Sequence, residues 1–145
     1  MPLYTLPQPG DGGGNLQTGG VELAVNTSTT STTFVDLLTV SVTTTAGSKL
    51  ALEAIASALI TVSALQVFFQ LTVDGVKVGP ACAITGSGAN VRQTVSLIAL
   101  VAGLAAGAHT VKLQWRVASA NTATIDVVTN PDRAGARLQF TEVTV

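Results

Sequence analysis

The chain holds a single histidine, His109, so any imidazole general-base chemistry has to run through it. An imidazole that takes a proton from a nucleophile needs a carboxylate to orient it and a hydroxyl or thiol within reach. Asp36, Asp74 and Asp126 are candidates for the first role, and Ser and Thr are abundant enough to supply the second. No GxSxG or other nucleophile elbow is present, so the spacing singles out no nucleophile. His109 also follows the turn AAGA, at the mouth of a stretch whose later residues alternate apolar and polar. It reads as a partly buried side chain capping an apolar face, and the chain reads as a protein that is not an enzyme.

Metal and cofactor chemistry have less to work with. His109 and the single cysteine, Cys82, stand 27 positions apart, and Asp and Glu occur singly, so neither a zinc nor a calcium site is expected. One cysteine excludes an internal disulfide, and Cys82 within PACAIT reads as a small buried hydrophobe. The run GDGGGN at 10–15 lacks the Asp-x-Asp spacing of a calcium loop and the Lys and following helix of a phosphate loop. A linker accounts for it. Trp115, with Lys112 and Arg116 beside it, has the composition of a sugar or nucleic-acid platform. However, His109, Val111, Leu113, Trp115 and Val117 share one face of a period-two pattern, and Thr110, Lys112, Gln114 and Arg116 the other. The cations therefore cannot interleave with the indole, and Trp115 belongs to a core. No catalytic, metal or cofactor residue is expected.

The elements follow from composition. Of the 145 residues 47% are apolar and only 10% charged, with a mean hydropathy of +0.51. Average soluble domains carry roughly 25% charged residues, so a chain this neutral is expected to hide surface in an assembly. Residues 50–69 approach the length of a membrane span, but Glu53, Ser57, Thr61, Ser63 and Gln66 interrupt them and no basic or aromatic belt flanks them. No membrane partner is expected. The net charge of −1 and scattered basic residues give no stripe for nucleic acid. The start, MPLYTLPQPGDGGG, has neither a basic nor an apolar signal region, and no export is expected.

From Val21 onward Thr, Val, Ser and Ala dominate, with turn residues at short intervals. Strands are expected at 21–25, 33–43, 49–56, 58–63, 66–73, 76–78, 91–102, 108–118, 122–128 and 136–144. Asp74-Gly75 predicts a tight hairpin. Phe68 stands on the polar face of its strand, and Ile98 and Leu100 make the end of 91–102 apolar on both faces, which predicts cover by another sheet or another chain. These three residues are the candidate oligomer interface. The fold class expected is all-β, a jelly-roll sandwich of about eight strands over residues 21–145. Residues 1–20, rich in Pro and Gly, are expected to form an extended N-terminal arm, with Leu3, Tyr4 and Leu6 as apolar anchors for a partner.

The stretches GLAAGAHTVKLQWRVASANTATI and RAGARLQFTEV resemble the closing strands of C1q/TNF-like jelly rolls. With its arm and size, the whole chain is similar to the trimeric jelly-roll capsid decoration proteins of tailed phages, in the type carried by thermophilic long-tailed phages. The resemblance implies a homotrimer on the outer face of the virion, made in the host cytoplasm. It would clamp neighbouring subunits of the major capsid protein, with its arm reaching across to them. No small-molecule substrate is implied. The rival expectations are a receptor- or carbohydrate-binding head domain of a tail fibre or secreted protein, and a hydrolase using His109.

Overall fold

The computed structural model describes residues 17–127 and 135–143, and within them the β-branched, turn-punctuated sequence forms strands and no helix. Two short strands come first, β1 (Thr18–Glu22) and β2 (Thr27–Thr29). Four long ones follow, β3 (Val35–Thr44), β4 (Lys49–Ile60), β5 (Gln66–Val73) and β6 (Val76–Thr85). The chain then runs through β7 (Val91–Val101), β8 (Gly107–Val117), β9 (Ala123–Ile125) and β10 (Ala136–Val143). Residues 1–16 of the expected arm, with Leu3, Tyr4 and Leu6, lie outside the described residues. Thr18, Gly19 and Gly20, also placed in the arm by composition, belong to β1 and pair with β10.

All pairings are antiparallel and fall into two sheets. In the first, β4 is central: β7 runs along one edge of it, while β10 and then β9 share the other. β1 lies outside β10 and β2 outside β9. The second sheet has the order β3-β8-β5-β6. Counting β1 with β2 and β9 with β10 leaves eight lanes, four in each sheet. Apart from the β5–β6 hairpin, every connection between lanes crosses from one sheet to the other. That is the winding of a jelly roll.

The alternation sets which faces meet. Val111, Leu113, Trp115 and Val117 of β8 are buried, as are Leu50, Leu52, Ala54 and Ala56 of β4, and they belong to one continuous core. Trp115 stacks on Phe69, its ladder partner on β5, with ring centroids 6.2 Å apart. At the hairpin, φ is +50° at Asp74 and +80° at Gly75, as a two-residue turn matched to strand twist requires.

Two expectations need correction. Residues 49–56 and 58–63 are expected from the sequence as separate strands. They form one strand to Ile60, because the Ser57 amide donates to the Gly135 carbonyl (2.8 Å) and its hydroxyl accepts from Thr94 Oγ1 (3.0 Å). The strand expected at 76–78 continues to Thr85. Phe69 pairs with Cys82 and Leu71 with Val78, so Gly79, Pro80 and Ala81 bulge opposite Gln70. Proline is tolerated there because β6 is an edge strand.

Candidate functional site

The register decides which carboxylate meets His109. The β5–β8 ladder places Val73 against Val111, which brings Asp74, one residue past the end of β5, beside the start of β8. Asp74 Oδ2 lies 2.6 Å from His109 Nδ1, and the Thr110 amide donates to Asp74 Oδ1 (2.8 Å). The second ring nitrogen, Nε2, lies 2.9 Å from the Ala105 carbonyl oxygen. The Asp74 carboxylate raises the His109 pKa, with the Ala105 carbonyl adding to it against the cost of burial. His109 in turn lowers Asp74, helped by the Thr110 amide. An orienting carboxylate is therefore present, but the nitrogen that would face a nucleophile is occupied by a backbone carbonyl. His109 lies on the inward side of β8, opposite Val42 on β3, at the mouth of the core as the alternation predicts.

The other two carboxylates are engaged elsewhere. Asp126 pairs with Arg92 at 3.4 Å. Asp36 accepts from Lys112 Nζ and from Gln114 Nε2, each at 2.7 Å, and Gln70 Nε2 extends the chain to Gln114 Oε1 at 2.9 Å. This network crosses β3, β8 and β5 on the outer face of the second sheet. Gln114 first and Lys112 second hold the Asp36 carboxyl below its ordinary range. Among the described residues, no group of three or more His, Cys, Asp or Glu side chains is placed to hold a metal ion. No helix among them is long and apolar enough to cross a membrane.

Sequence reasoning missed two features. Glu142 occupies an inward position near the end of β10 and is fully buried. Its Oε1 accepts from the Thr45 amide (2.6 Å) and the Thr45 hydroxyl (2.7 Å), and the amide bond is the main cause of its lowered pKa. The inward parity was readable, but the donors come from a turn 97 positions away. On the outer face of the second sheet, Arg116 lies over the Phe68 ring, 4.0 Å from its centroid, and 5.3 Å from that of Phe34. Phe68 is half-buried beneath the guanidinium, its cross-strand partner, rather than presented as a bare apolar side chain.

Ile98 and Leu100 are 71% and 65% exposed on the outer face of the first sheet. Their strand buries Val95, Leu97 and Ala99 on the other side. Of the two covers expected for this end, another sheet of the same chain is not the one found among the described residues. Leu100 continues a row with Thr18, Thr141 and Ala51, and Ile98 a row with Gly20, Gln139 and Glu53. Two shallow depressions follow these rows and share Gln139, Phe140 and Thr141. Phe68 lies on the opposite outer face, so the structure does not bring the three interface candidates together.

Two four-lane antiparallel sheets packed face to face with this winding define the class: a jelly-roll β-sandwich. No protein-family model matches the chain, and no curated protein matches its sequence. Among solved structures, the fold is shared with a chain in the structure of infectious bursal disease virus Gx strain, at a TM-score of 0.54 and 11% identity over 99% of this chain. A chain in the structure of the Gt strain of that virus is similar at a TM-score of 0.53 and 12% identity over 100% of it. This chain spans 42% of the length of each. At such identities the likeness is one of fold.

Proposed function

We propose that the chain is a structural virion protein: a homotrimer that binds the outer surface of the assembled major-capsid lattice and stabilises it. The observation that carries this reading is the match of the whole jelly roll to chains of a virus structure. The exposed Ile98 and Leu100 support it, because a charge-poor domain with an uncovered apolar sheet end gains by burying it against another copy. Phe68, half-covered by Arg116, contributes from the other face. The arm, through Leu3, Tyr4 and Leu6, contacts neighbouring subunits, and many identical sites on one lattice strengthen attachment by avidity. Stabilisation is then mass action on the assembled state and involves no catalysis. His109 serves the fold, because its Nε2 is already bonded to Ala105.

Removal of residues 1–15 tests the arm. The truncated protein is expected to keep its fold and trimer while losing attachment to capsid shells. Full attachment by the truncated protein would remove the arm from the account. Saturable glycan binding by the full chain, without shell binding, would replace the account with the receptor-binding head domain.

A further inference from the structure

We propose that the end of the sandwich carrying His109 and Glu142 is a clamp closed only within a pH window, while the imidazole is doubly protonated and the Asp74 and Glu142 carboxylates are ionised. The upper limit follows from donor counting. The Asp74 carboxylate and the Ala105 carbonyl can only accept, and a neutral imidazole has one N–H. The contacts at 2.6 Å on Nδ1 and 2.9 Å on Nε2 are therefore both made only by the imidazolium. When the ring loses a proton, the one that remains stays on Nδ1 against the carboxylate. The Nε2 lone pair then faces the Ala105 carbonyl, and the β7–β8 connection, residues 102–106, loses one of the two side-chain donors that hold that carbonyl.

The lower limit follows from the acceptors. Glu142 Oε1 takes two hydrogen bonds from Thr45, and Asp74 takes those of His109 and the Thr110 amide. Protonation removes the charge that makes these bonds strong. The two latches adjoin: Thr44 Oγ1 donates to the same Ala105 carbonyl at 2.8 Å, and the next residue is the one Glu142 holds. Three segments, the β5–β6 turn, the β7–β8 connection and the β3–β4 turn, are thus tied at one end. Among the described residues, Asp74 is the charged group facing His109; from β3 the ring meets Val42 and from the β7–β8 connection the Ala105 carbonyl. Glu142 faces Thr45 and Ser48, neither of which ionises in this range. The same contacts raise His109 above its ordinary 6.5 and lower Asp74 and Glu142 below 3.8 and 4.5.

Hydrogen exchange on the full chain, corrected for the intrinsic pH dependence of amide exchange, tests this together with an NMR titration of the His109 ring. The His109 midpoint is expected above 6.5. The Ala105 carbonyl carbon resonance should shift through that midpoint, as its bond from Nε2 is lost. A midpoint at or below 6.5, or an Ala105 carbonyl resonance that ignores the His109 titration, would overturn the upper limit. His109→Gln, which cannot titrate, should abolish the pH dependence of that resonance, and its persistence would also overturn the upper limit. Glu142→Gln should make protection of residues 45–48 insensitive to acid; acid-sensitive protection in that variant would overturn the lower limit.

Discussion

Trp115 and Phe69 face each other across the β5–β8 ladder with the indole almost wholly buried, so their loss opens a void that a stiff sandwich cannot close. Trp115→Ala is expected to cost about 3–5 kcal/mol, read as a lowered urea midpoint. Arg116→Ala, on the outer face, removes only a partly solvated cation–π stack and should cost about 0.5–1 kcal/mol. The titrating residues give stability a pH profile. His109 has a raised folded pKa, so its contribution is complete below the unfolded value and disappears as pH rises through the folded one. Asp74 and Glu142 have lowered folded pKa values, so theirs are complete above the unfolded values and disappear as pH falls through the folded ones. Denaturation across pH is expected to show a plateau between the two limits, with the alkaline decline absent in His109→Gln. An alkaline decline of the same size in that variant would place its cause elsewhere.

Among the elements, β8 was fully legible because one face is core and the other is wet, and strict alternation follows from that. The β5–β6 hairpin was legible because Asp-Gly tolerates positive φ at both positions. β4 and β6 were cut short in the reading for the opposite reason. Ser57 and the Gly79-Pro80 pair look like interruptions, and the groups that accommodate them, Gly135, Thr94 and an edge position, come from distant parts of the chain. The choice of Asp74 over Asp36 and Asp126 was illegible on the same grounds, because only the β5–β8 register distinguishes them. Gly79 supplies a test at this scale. Its φ is +67°, and an added Cβ would lie 3.1 Å from the Ala99 Cβ, whereas Gly75, at φ +80°, has open space around it. Gly75→Ala should cost about 1 kcal/mol from backbone strain alone, and Gly79→Ala measurably more. Equal thermal shifts for the two would contradict the bulge packing.

At the scale of the whole molecule, low charge and the exposed pair Ile98 and Leu100 are the features that the proposed assembly would bury. Because both side chains are already in solvent, Ile98→Lys with Leu100→Lys should change stability by no more than about 0.5 kcal/mol. If the proposed trimer forms through this face, the same pair of substitutions should leave a monomer in sedimentation, and a trimer unaffected by them would move the interface elsewhere. The central claim of the proposed function, binding to an assembled capsid, is tested most directly by cosedimentation with purified capsid shells, with unassembled capsid subunits as the control. The expected result is saturable binding to shells at a fixed ratio of trimers to capsid subunits, with little binding to free subunits. A protein that remains in the supernatant at every concentration would contradict it.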